Sequence, residues 1–252
     1  MSALKLLESH KYIEAIEECQ RCLSIKADDI GAIAIMASAL RAIERYDEAI
    51  PLFERVGQYE RSDKIATGRP GRQSNISCLH WIIGNRQEAI QMMRDLVEGI
   101  LNGFIKFGDA AGGVGPGLLL YYMAVTDNQP QDVEFALDYM KNRAKRAFIQ
   151  SWPGPVARYY LQAITFSDLL EAASGQRELP KAMEVARVRL LGRRRLSIAL
   201  FHDGVRSRTQ GDEEQCLARM RECYGLENPL IEEEWYLARY EVQTADNQVR
   251  AR

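Results

Sequence analysis

A pattern written twice near the start of the chain constrains its fold more than any other feature. YIEAIEECQRCL at Tyr12–Leu23 is matched by YDEAIPLFERVG at Tyr46–Gly57, so that Tyr12 aligns with Tyr46, Glu14 with Glu48, Ala15 with Ala49 and Ile16 with Ile50. Between the copies, IGAIAIMASALRAIER reads as one apolar-rich helix. The unit is a helix pair with a period of about 34 residues, and such a pair buries its apolar face only by stacking on a neighbouring copy. Ala15 and Ala49 recur at the same place in the two copies, and small residues there let two helices cross closely. Pro51 is expected early enough in the second helix for its missing N–H to cost little. The helix ahead of the first copy, about Ser2–His10, is short. It is expected either to cap the array or to follow a helix missing from this chain.

Later copies are less regular. WIIGNRQEAIQMMRDLV, Trp81–Val97, places Ala89 at the small position and Gly84 in the turn, after extra residues expected near Thr67–Gly71. A fourth unit pairs a helix at Leu118–Thr126 with one containing Ala136, after a glycine-rich insert at 102–117. A fifth starts at SWPGPVARYYLQAITF, with its second helix expected at Leu179–Leu191. A sixth spans Leu196–Tyr224, with Gly204 and Cys216 at crossing positions and Gly211 in the turn. A last helix, about Pro229–Thr244, closes the array as a cap. Apolar clusters have helical spacing throughout and no strand pattern is found, so the expected fold is all-α: an α-α superhelix of about five to six units in one domain over 1–245, with a flexible tail at 246–252.

Composition narrows the function classes. A net charge of −2 argues against a whole-chain electrostatic binder of nucleic acid. The N-terminus has no long apolar core, and no long uninterrupted apolar run exists, so neither a secretory signal nor a membrane span is expected. The odd number of cysteines, Cys19, Cys22, Cys78, Cys216 and Cys223, fits reduced thiols in a cytoplasm. Cys19 and Cys22 form a C-x-x-C, but with no second pair to complete a metal site they read as core residues, as do Cys216 and Cys223. The tract GDAAGGVGPG lacks the lysine and hydroxyl of a phosphate loop, and Leu118 stands where a dinucleotide fingerprint needs its third glycine. It reads as a connector or as an insert reaching a partner, with Asp109, Tyr121 and Tyr122 at its flanks. The three histidines show no metal-binding spacing. No cofactor or metal is expected.

Charge is uneven near the C-terminus. Arg187, Arg189, Arg193, Arg194, Arg195, Arg206 and Arg208 face a following segment, Asp212–Glu234, that is rich in acids. One reading is mutual compensation between stacked helices. The others are a basic stripe for an acidic partner and nucleic-acid binding, which the lack of interleaved aromatics disfavours.

Tyr12–Gly57, with weaker support from Trp81–Val97 and Leu196–Tyr224, resembles the tetratricopeptide repeat family. The tracts WPGPVARYYL, GDEEQC and EEEWYLAR look like the C-terminal part of its bacterial members. The resemblance implies a concave groove that binds a protein or peptide segment, lined by inward-facing residues of each first helix. Those positions fall on Ala34, Ser38 and Arg41; on Ser74, Cys78 and Trp81; and on Phe201, Val205 and Arg208. Arg158, Tyr159 and Gln162 lie where the fifth unit begins. Trp81 and Phe201 suit the core equally well. The expected function is therefore a non-enzymatic, cytoplasmic interaction module, a bacterial adaptor or a toxin-neutralising immunity protein. It would be a monomer or homodimer, binding through Ser38, Arg41, Trp81, Asp109, Tyr121, Arg158, Tyr159, Phe201 and Arg208. A self-associating scaffold is the alternative, followed by an enzyme with its site at the insert and Asp109.

Overall fold

The structure is a computed structural model that describes residues 2–62, 71–106, 110–175 and 185–250. Asp109, the expected turn at 67–70, and residues 179–184 of the helix expected at Leu179–Leu191 lie outside the described residues. The described residues form thirteen α-helices and one short 3-10 turn at Ala147–Gln150, with no strand among them. The helices are α1 (Ala3–Glu8), α2 (Tyr12–Ile25), α3 (Ile30–Ala42), α4 (Tyr46–Ser62), α5 (Gly71–Ile82), α6 (Arg86–Leu101) and α7 (Val114–Thr126). They continue with α8 (Pro130–Ala144), α9 (Gly154–Tyr160), α10 (Phe166–Ser174), α11 (Val185–Thr209), α12 (Glu213–Tyr224) and α13 (Glu233–Arg250).

One turn joins the helices of every pair. His10, Glu44, Gly84, Asn128, Gln162 and Gly211 all adopt left-handed backbone, with φ of 58°, 65°, 94°, 53°, 59° and 80°. At each, the left-handed residue's N–H returns to a carbonyl three residues back, and the next N–H to one five residues back. Examples are Glu44 to Arg41 with Arg45 to Leu40, and Gln162 to Tyr159 with Ala163 to Arg158. This is the Schellman closure of a helix C-terminus, in which two otherwise orphaned carbonyls are satisfied. It pairs α1 with α2, α3 with α4, α5 with α6, α7 with α8, α9 with α10, and α11 with α12.

The chain divides into two compact units. The first is Met1–Met92 with Ile105–Phe107; the second is Met93–Phe104 with Gly108–Arg252. In the first, α1 to α5 pack as sequential neighbours. The small crossing positions Ala15, Ala37, Ala49 and Ala89 have 0% exposure, and Ile33, Leu40 and Phe53 close around them. Asp29 caps α3 by accepting from the Ala32 N–H at 3.0 Å. Because α4 begins at Tyr46, Pro51 falls in its second turn rather than its first, and the helix forgoes one ladder bond there.

In the second unit α7 packs on α8, and α11 packs on α7, α9, α10, α12 and α13. The glycine-rich tract ends inside α7 and serves this packing. A side chain at Gly117 would place its Cβ 2.4 Å from the Tyr139 ring, and the Tyr139 hydroxyl donates to the Gly113 carbonyl. Gly204 plays the same part on α11, where a Cβ would lie 3.1 Å from the Cys216 carbonyl oxygen. The helix expected to start at Leu196 runs from Val185, and α13 continues to Arg250, where Arg221 pairs with Asp246 at 3.0 Å. No helix among the described residues is long and apolar enough to cross a membrane.

Candidate functional site

The fifth helix pair departs from the rule the others share. In the other five, the second helix begins two positions after the left-handed residue; α10 begins four positions after Gln162. The extra residues open a recess of about 520 Å³ within the second unit, lined by Tyr159, Gln162, Ala163, Ile164, Thr165, Phe166, Asp168, Arg206 and Gln210. The start of α10 is pinned by a capping box. The Thr165 hydroxyl oxygen accepts from the Asp168 N–H at 3.2 Å, and the Asp168 carboxylate accepts from the Thr165 N–H at 2.8 Å. Hydrogen bonds from the Thr165 side chain and backbone hold the Asp168 carboxyl below its ordinary range, so it stays charged.

Cations and aromatic rings alternate along the wall. The Arg206 guanidinium lies 4.3 Å from the Tyr159 ring centroid and donates to the Tyr159 carbonyl at 2.9 Å. The Tyr159 and Phe166 rings tilt together at 6.0 Å, and Arg219 covers Phe166 at 4.8 Å. Asp203, 8% exposed, ties the set from behind. It accepts from the Tyr159 hydroxyl, and from the Arg219 Nε–H at 2.7 Å. Burial and the adjacent Asp203 carboxylate push the Tyr159 hydroxyl up, so it remains a donor. The ring that carries Arg206 is therefore fixed at both ends before anything binds.

The other anticipated residues are placed differently. Arg41 is 3% exposed and lies over Phe53 at 5.6 Å, and Trp81 has 0% exposure beneath Arg86. Ser38 donates to the Ala34 carbonyl at 2.9 Å on half-buried α3. These three belong to the first unit. In the second, Phe201 has 0% exposure, edge-on to Tyr122 at 4.8 Å. Tyr121 is buried beside Tyr160 at 4.6 Å. Arg208 bonds to Thr126 at 2.8 Å, Glu241 at 3.0 Å and Glu213 at 3.1 Å. Arg158 donates to Gln150 at 2.7 Å and lies near enough to favour the Asp168 charge. Of the anticipated groove residues that are described, Tyr159 and Gln162 line the recess. Arg206 was named only as one member of the basic run, and Phe166 and Asp168 were not singled out, although T-x-x-D at Thr165–Asp168 is a readable helix-start signal.

The chain matches no family model and no curated protein.

Four of the five cysteines, and His202 among the histidines, are buried. Burial pushes the Cys19 thiol up to about 11 and the Cys216 thiol up to about 12, the reverse of an activated nucleophile. Fully buried His202 is pulled down to about 3 by desolvation and stays neutral between the Tyr160 hydroxyl, 2.9 Å away, and Glu234, 3.4 Å away. Among the described residues no group of three or more His, Cys, Asp or Glu is placed to hold a metal ion.

Proposed function

We propose that this chain is a non-enzymatic, tetratricopeptide-type interaction module that binds a segment of another protein, with the α9–α10–α11 recess as a principal contact. The single observation that carries this reading is the recess itself: a solvent-open volume whose Tyr159, Phe166 and Arg206 walls are held in place by an internal polar lattice. Aromatic and arginine side chains are the usual energetic anchors of protein interfaces, and a pre-set wall avoids the ordering cost of binding. The buried thiols and His202 support a binding role over covalent catalysis. Within this class an adaptor, or a cognate-binding protein such as an immunity protein, fits a site made by a departure from the repeat, and a cytoplasmic setting fits the thiol-only cysteines.

The test is affinity capture from the source organism's lysate with the full chain and with Phe166→Ala, each checked for folding by circular dichroism. One stoichiometric protein partner, lost with the Phe166 variant, is the expected result. A partner retained by that variant, or no partner at all, overturns the assignment to this recess.

A further inference from the structure

We infer that the recess selects its protein segment by an acidic side chain, whose carboxylate seats on the guanidinium of Arg206. This rests on the binding reading above and names the chemistry that the recess reads. The basis is a contrast among neighbouring arginines. Arg193 pairs with Glu227, Arg194 with Glu232, Arg208 with Glu241, Arg219 with Asp203 and Arg221 with Asp246. Arg206, on the same helix as three of them, has no carboxylate within pairing distance among the described residues. It stacks on the Tyr159 ring, donates to the Tyr159 carbonyl and lies beside the Tyr159 hydroxyl.

Arg206 lines the recess as a planar, permanently charged fork with N–H donors beyond the one given to that carbonyl, and its stacking leaves it little freedom to lose. A planar carboxylate accepts two parallel bonds from such a fork, and the bond is stronger than a neutral one. The other lining groups serve a chain that continues past the acidic residue. The Gln162 and Gln210 amides can donate and accept along a backbone, and the outer oxygen of Asp168 can accept a backbone N–H, because its inner oxygen is held by Thr165. A chain terminus offers backbone on one side only, so the assignment is to a side-chain carboxylate inside a segment. Asp168 also disfavours a second acid nearby, so one acidic residue flanked by neutral or apolar ones is the expected motif.

The test uses the folded full chain and a library of random peptides displayed as internal segments, without free C-termini. Expected is enrichment of Glu or Asp at one position among binders. Changing that Glu to Gln in a synthetic copy should weaken Kd by about tenfold or more. The same Gln peptide should lose nothing further against Arg206→Gln, because a coupled pair breaks once. Binders with no acidic preference, or losses that simply add, overturn the anchor while leaving the binding reading standing. No saturable binder at all overturns both. A parallel library with free C-termini that alone yields Arg206-dependent binders overturns the side-chain assignment. The peptide-side change leaves the protein intact, so the test holds even if Arg206→Gln folds poorly.

Discussion

Arg208 gathers Thr126 from α7, Glu213 from the start of α12 and Glu241 from α13 around one guanidinium. Its side chain is 15% exposed and that of Glu241 13%, so removing the arginine strands a largely buried carboxylate. Arg208→Ala is expected to cost about 3 kcal/mol in urea denaturation. A loss of a few tenths would show the pair to be solvent-screened. Glu234 offers a pH signature. Burial pushes its carboxyl up from the ordinary 4.5 to about 7. Between those values the folded chain holds a proton that the unfolded chain releases, so rising pH favours unfolding. His202, pulled down from 6.5 to about 3, acts with the opposite sign between those values. Its ring lies 3.4 Å from Glu234, so the comparison of parent with Glu234→Gln is made in a His202→Asn background, which carries no titrating imidazole. The parent should lose stability relative to that variant as pH rises from 4.5 to 7, and show a flat difference below 4.5. A flat difference across the whole range would place the Glu234 titration at its ordinary value.

At the scale of the helix and its turn, the chain was readable wherever a side chain announced the backbone. Gly84 and Gly211 marked two of the six turns, and Asn128 and His10 are of types that adopt the left-handed conformation more readily than most; Glu44 and Gln162 hold it with nothing in their side chains to signal it. Glu44→Gly relieves that conformation and is expected to add about 1 kcal/mol to stability, measured by thermal or chemical unfolding. Destabilisation instead would mean that the Glu44 side chain contributes more than its backbone strain costs. The alignment of Ala15, Ala49, Ala89, Ala136 and Cys216 was legible because helix crossings tolerate only small residues, and all five have 0% exposure. The anticipated groove set was less so. A residue on the inner face of a helix and one in the core differ by a small rotation, which the spacing does not resolve for Trp81 or Phe201. The basic run read correctly in one respect: Arg193, Arg194 and Arg208 are compensated by acids of the Asp212–Glu234 stretch. Phe166 escaped notice because α10 is only 9 residues long.

Across the whole second unit, α11 is the common partner of α7, α9, α10, α12 and α13. Opening it exposes every one of those interfaces, so its middle should open only with the unit as a whole. Native-state hydrogen exchange is expected to show the amides of Leu196–Val205 as the slowest in the second unit. Slower exchange in α7 or α13 would move the stable centre there. The recess lies against this hub through Arg206. Gln162, Ala163 and Thr165 sit in the turn between α9 and α10, and Gln210 sits just past the end of α11. None of them holds two helices together as Arg208 does. The recess is thus built from two kinds of residue: Tyr159 and Arg206 belong to packed helices and are fixed with the hub, while the turn residues line its rim.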